Sequence, residues 1–149
     1  MDALAEPVGT AATREWPIRF TVERGKCVEM ARALRAGSDA FLASPLLAAV
    51  PTFTAVANHW GFSGSDILRD LGCELSRVLH GSEEFTYPDG LLTEGMHLIG
   101  AIRLVSRERK VNRTGRGMTA MAFETTLHDE TSGRVAVRVT RTLIELDAA

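Results

Sequence analysis

Cysteine is scarce in this chain: Cys27 and Cys73 are its only two in 149 residues. They form no metal or redox spacing, and no secretory h-region precedes them. Reduced thiols in a cytoplasmic protein are the expectation. Long apolar runs are missing too, none reaching the roughly 20 residues a membrane-spanning helix needs. An excess of one charge is also lacking. The formal net charge of −2 gives no global attraction to nucleic acid or to an acidic membrane surface. No pair of histidines with a carboxylate has metal-ligand spacing, so neither metal nor other cofactor is expected.

What is present is ordinary for a globular protein, with 45% hydrophobic and 24% charged residues. A chain of this length buries a sizeable core as one domain, without disulfides or metal. The Ala-rich residues 1–15 lack a core-forming period and read as a flexible N-terminal segment. Residues 16–147 read as the single domain.

Pro17 to Val22 alternates apolar and polar residues, as a first strand does. Cys27, Met30, Ala31 and Leu34 then recur at i, i+3, i+4 and i+7, the apolar face of a helix that Gly37 is placed to end. Residues 38–50 read as irregular. Pro51 and Thr52 read as a helix start with Thr52 as N-cap. Phe53, Val56, Ala57 and Trp60 continue at helical spacing, and the Gly61–Ser65 stretch reads as a terminating loop. After Gly72 the period becomes two. Glu74 to Tyr87 reads as a strand closed by the turn Pro88-Asp89-Gly90. Met96 to Arg109 reads as a strand at the sheet centre, and Asn112 to Gly117 as a hairpin. Met121, Phe123, Thr125 and Leu127 share one face of the next strand. After a turn at Asp129 to Gly133, Val135, Val137 and Val139 face inward. The fold class is α+β, an antiparallel sheet wrapped around a central helix.

Phe20-Thr-Val-Glu-Arg24, Pro51-Thr-Phe53, Leu79-His-Gly81 with Phe85, and Arg141-Thr-Leu-Ile-Glu145 are, in this order and spacing, similar to the MaoC-like hot-dog dehydratases. The resemblance is to the N-terminal, fatty-acid-synthase-type branch, which includes substrate-binding subunits of mycobacterial hydroxyacyl-carrier-protein dehydratases. It runs from about Trp16 to Leu146. It implies a hot-dog fold that pairs with a second hot dog, and acyl-thioester substrates on coenzyme A or acyl carrier protein.

Catalytic members of that family share Asp-x-Asn-Pro-(Leu/Ile)-His, whose Asp and His move the protons as water is added or removed across Cα–Cβ. A backbone N–H, commonly at the central helix N-terminus, steadies the enolate-like thioester oxygen. The corresponding stretch here is Asp39-Ala40-Phe41-Leu42-Ala43-Ser44. Asp39 aligns with the motif's Asp, while Asn, Pro and His are missing and Ser44 stands where the His belongs. A serine without a partner base does not replace imidazole as a proton carrier. No catalytic residue is therefore assigned to this chain.

His80 has two readings: a proton carrier or donor to the thioester, or a structural strand histidine whose neighbour Gly81 permits a bulge or a close backbone approach. The structural reading is preferred. Glu83 and Glu84 are adjacent, so in a strand they face opposite sides. Family members often carry Gly-Asp near Gly95-Met96, and Met96 here departs from that. Arg107, Arg109, Lys110, Arg113 and Arg116 form a basic cluster. They read either as a contact for coenzyme A phosphates or an acidic carrier protein, or, somewhat preferred, as a solvated hairpin tip.

The resemblance implies a substrate-binding or scaffolding subunit of an R-specific enoyl-thioester hydratase or 3-hydroxyacyl-thioester dehydratase. A partner hot-dog chain supplies the catalytic Asp and His. Phe41, Pro51, Thr52, Phe53, Val56, His59 and Trp60 then line the acyl site. Two alternatives stand beside it: a self-sufficient homodimeric hydratase or thioesterase using Asp39 or His80, and a noncatalytic acyl-thioester binding protein. Acyl-chain length, pathway and carrier stay open at this level.

Overall fold

A computed structural model describes residues 14–57 and 64–148. The first strand, β1 (Glu15–Thr21), obeys the two-residue period. Trp16, Ile18 and Phe20 are buried, and the residues between them are exposed. Helix α1 (Arg24–Ala33) buries Cys27 and Ala31, with Met30 packed against the core. Leu34, expected on that face, is 55% exposed, because the helix closes at Ala33. Arg35 takes the left-handed conformation at φ 52°. The Ala36 N–H then reaches back to the Ala31 carbonyl at 2.7 Å and the Arg35 N–H to that of Arg32 at 3.0 Å. This Schellman closure places the left-handed residue two positions before Gly37 and ends the helix at Ala33.

The stretch read as irregular contains a one-turn helix, α2 (Asp39–Leu42), capped by the Ser38 side chain on the Phe41 N–H. Phe53–Val56 is a 3-10 turn leading into Ala57. Thr52 stands at its N-cap position, yet its side chain makes no capping bond. The backbone there (φ −93°, ψ 6°) is not the extended geometry that aims a cap oxygen at the following N–H groups. The chain is helical again over α3 (Gly64–Asp70), which buries Ile67 and Leu68. Gly64 and Ser65, expected in a loop, therefore belong to a helix. His59 and Trp60 lie outside the described residues.

The remaining strands are β2 (Val78–Thr86), β3 (His97–Val111), β4 (Gly117–Asp129) and β5 (Val135–Leu146). A 3-10 turn at Leu75–Arg77 delays β2 relative to the expected start at Glu74. All pairings are antiparallel, in the order β1-β3-β4-β5-β2. The middle strand is therefore β4, not β3. On β3 one parity is buried (Leu98, Ile102), while Ile99 of the other is exposed. Gly100 is required where it stands: a Cβ there would run into the Thr126 carbonyl of β4. On β5 the ladder skips Ala136 opposite His128, so Ala136 takes the core place expected of Val135. One sheet face thus presents Leu98, Ile102, Met121, Phe123, Leu127, Val137 and Val139 to a core shared with Phe53, Ala57, Ile67 and Leu68.

One carboxylate is enclosed with that core. Glu145 is 9% exposed and accepts the Glu74 N–H at 2.8 Å and Arg77 Nη2 at 3.2 Å. Burial alone would raise its pKa. The Glu74 N–H, the Arg77 guanidinium and the Cys73 thiol together outweigh that, and the pKa falls below the ordinary 4.5. A carboxylate with a depressed folded pKa adds stability above its unfolded value and loses it as pH falls through the folded one. Urea unfolding of the wild type should therefore weaken below about pH 4.5. Glu145→Gln should be less stable by about 1–2 kcal/mol at neutral pH and should show a flatter acid limb. Parallel acid limbs in the two proteins would refute this role for Glu145.

Candidate functional site

Among the described residues strand β2 is an edge strand, paired in the sheet with β5. Along that pairing His80 opposes Leu143 and Ser82 opposes Thr142, which leaves Gly81 as an extra residue. A Cβ at Gly81 would stand 3.0 Å from the Thr142 carbonyl oxygen, so glycine is what allows the two strands to stay close. The bulge has a consequence for side-chain direction. In a regular strand His80 and Glu83, three residues apart, would face opposite sides. The extra residue brings both to one face, and His80 Nε2 lies 3.5 Å from Glu83 Oε2.

Glu83 is held from its other side. Its Oε1 accepts Arg141 Nε at 2.8 Å and also Arg141 Nη2. The two side chains are only 13% and 17% exposed, whereas that of His80 is 54% exposed. Glu84 points to solvent, as the alternation requires.

Arg141 also borders a small void of about 10 Å³ beneath the sheet, together with Thr54, Ala57, Thr125, Ile18 and Ile102. Thr54 is buried, and its hydroxyl meets that of Tyr87 at 3.0 Å. The Tyr87 hydroxyl in turn donates to the Pro51 carbonyl. Because that proton is committed, Thr54 donates and Tyr87 accepts. Burial pushes the Tyr87 pKa up, against the Thr54 hydrogen bond. Tyr87 thereby ties the end of β2 to the turn that carries Pro51, Thr52 and Phe53. Within that turn Phe53 has no exposed surface, and its N–H is taken by the Val50 carbonyl at 2.9 Å. Pro51 and Thr52 are exposed and Val56 is half-buried.

Asp39 is exposed at the start of α2. Ser44 donates its hydroxyl to the Leu46 carbonyl at 3.0 Å. Phe41 is half-buried and packs against the core. The segment that follows is stitched to the chain before β3 by a bridge between Ala48 and Thr93. Arg24 spans the same region, binding both Glu94 oxygens at 2.7 and 2.9 Å and the Leu42 carbonyl at 2.9 Å. Sequence reasoning quoted Arg24 only within a motif, without a role, and missed Glu94 and Thr54. No periodicity links residues that lie 33 to 70 positions apart.

Much of the basic cluster is engaged within the molecule. Arg107 donates to the Leu71 carbonyl at 3.0 Å, and Lys110 lies 3.0 Å from Glu108. Arg109 grips the Asp147 carboxylate and Arg116 its carbonyl, tying the hairpin to the end of β5. Arg113 has no ion-pair partner among the described residues. The cysteines are both buried. Burial, helped by the Glu94 charge, pushes the Cys27 pKa up to about 11, and burial raises that of Cys73. Neither is a thiolate near neutral pH. Among the described residues no His/Cys/Asp/Glu group could hold a metal ion, and no helix is long and apolar enough to cross a membrane.

A five-stranded antiparallel sheet in this strand order, with its helical segment packed on one face, is a hot-dog fold. The chain belongs to the family of FAS1-like dehydratase domain regions, whose model matches residues 4–138. A search among curated proteins found no match. Solved structures with the same fold include the truncated HadBC (3R-hydroxyacyl-ACP dehydratase) complex of Mycobacterium tuberculosis. That match has a TM-score of 0.64 at 19% identity and covers 89% of this chain and 95% of the other. The ChsH1–ChsH2 complex of the same organism gives 0.67 at 14% identity, covering 91% and 84%. A MaoC-like dehydratase from Rhodospirillum rubrum gives 0.58 at 13% identity, covering 99% of both chains.

Proposed function

We propose that this chain is the substrate-binding or scaffolding subunit of an R-specific enoyl-thioester hydratase or 3-hydroxyacyl-thioester dehydratase. A partner hot-dog chain supplies the acid and base. The observation that carries the reading is Ser44: it occupies the place of the motif's histidine, and its hydroxyl is spent on the Leu46 carbonyl. Asp39 is left without an imidazole beside it in the motif. Two of the similar structures are described as complexes, HadBC and ChsH1–ChsH2, which is the arrangement the reading requires.

In this division of labour the partner removes a proton from Cα and delivers another to the departing hydroxyl, or the reverse for hydration. This chain positions the thioester along Pro51, Thr52 and Phe53 and walls the acyl group with Phe41, Val56, His59 and Trp60. Arg113 and Arg116 are the hairpin cations offered to coenzyme A phosphates or an acidic carrier protein.

One observation favours a second reading, in which the chain works alone. The Gly81 bulge sets His80 beside a carboxylate that Arg141 holds in place, the arrangement of an oriented general base. Alanine at Asp39 and at His80 separates the two. With the catalytic partner present, each variant should keep hydration of a 2-enoyl thioester within about twofold of wild type. A loss of about 100-fold at either position, the size of a missing general acid or base, would support the second reading.

A further inference from the structure

Strand β1 pairs with β3 as far as Arg103, and β3 runs on to Val111 before the chain turns. Residues 107–116, at the end of this arm, hold five of the chain's 17 cations and one carboxylate, although the chain's net charge is −2. The arm's tip is braced. Asn112 Oδ1 accepts the Thr114 and Arg116 N–H groups at 3.0 and 2.9 Å and the Thr114 hydroxyl at 2.8 Å. The Asn112 N–H donates to the Arg116 carbonyl, and the Gly115 N–H to that of Asn112. Charges that only keep a strand from aggregating need no such bracing, since they repel from any position.

Arg109 and Val111 share one face of β3 by alternation, and Val111 is 66% exposed there. An apolar side chain among cations contributes nothing to binding a phosphate. The guanidinium fork of Arg109 is already spent, both of its terminal nitrogens on the Asp147 carboxylate, so it does not offer a phosphate two parallel bonds. Spread cations around an exposed valine match a protein face on which carboxylates surround an apolar spot. We infer that this hairpin docks an acidic protein that delivers the acyl thioester, and that coenzyme A is not the carrier it recognises. The inference rests on the subunit reading above and names the partner of its basic cluster. Arg113 and Arg116 meet the carrier's carboxylates and Val111 its apolar spot. The Asn112 bracing spares the arm an ordering cost on binding.

Steady-state turnover by the chain with its catalytic partner tests this. The substrate is one 2-enoyl group, carried either by an acidic acyl carrier protein or by coenzyme A. At low ionic strength Arg113→Glu should cut the kcat/KM preference for the carrier-borne substrate by about tenfold or more, through KM, and about 0.5 M salt should erase most of that difference. Val111→Ser should cut the preference severalfold, with little change on adding salt. Both side chains are exposed, so both variants should fold as wild type does. If Arg113→Glu weakens the coenzyme A ester as much as the carrier-borne one or more, the cations serve phosphates. The inference is then overturned while the subunit reading stands. It is overturned in the same way if neither variant moves the preference, which would make the hairpin a solvated tip. If the wild-type pair turns over neither substrate, the subunit reading fails and the inference with it.

Discussion

Replacing Arg141 by methionine should cost about 3–5 kcal/mol of folding stability, far more than loss of a surface ion pair. The reason is what remains behind. Glu83 lies on the inner face of an edge strand with its side chain 13% exposed, and two of its hydrogen bonds come from that one guanidinium. Without it a carboxylate is left among its register neighbours Phe85, Val139 and Leu143, with the half-exposed His80 beside it. A thermal melt should drop by about 10 °C for a domain of this size. The double variant Glu83→Leu, Arg141→Met should recover most of the loss, since a buried ion pair replaced whole by apolar groups is often neutral. A loss below about 1 kcal/mol for the single variant would show that water reaches the pair freely.

That ion pair marks the boundary of what the sequence discloses. Strands announce themselves locally: Met121, Phe123 and Leu127 are buried on one face of β4 as alternation requires, and Gly81 inside a strand pattern marks the bulge. The fold follows from such signals and from motif order. Pairing across the sheet is different. Glu83 and Arg141 are 58 residues apart, so the pair is invisible until the register is known. Helix ends are ambiguous for a related reason. Gly37 does take a positive φ of 86°, yet it is Arg35, at 52°, that closes the helix, through the Arg35 and Ala36 N–H bonds back to Arg32 and Ala31. The buried carboxylate of Glu145 gave no local sign either, since its partners Glu74 and Arg77 belong to the turn before β2.

The candidate site divides the same way. The reading of Ser44 at the position of the motif's histidine comes directly from the sequence, because it concerns which atoms are present. The geometry around His80 does not. In a regular strand His80 would lie on the face away from Glu83, and only the bulge brings the two together. A histidine beside a fixed carboxylate is a competent arrangement for moving protons, so the division of labour between two chains has a definite rival inside this one.

The second large effect bears on that rivalry. The purified chain, free of any other hot-dog protein, should hydrate a 2-enoyl thioester no faster than buffer does. Adding a hot-dog chain that carries the intact Asp and His should raise the rate by about 10⁴-fold or more, since two proton-transfer groups each contribute about 10²–10⁴. The physical basis is the Ser44 side chain, whose hydroxyl neither titrates near neutral pH nor has a base beside it to accept its proton. The measurement is the loss of enoyl-thioester absorbance with the single chain, then with the pair. A rate at background for the chain alone and turnover for the pair is the result predicted. Normal turnover by the chain alone, abolished by His80→Ala, would contradict it.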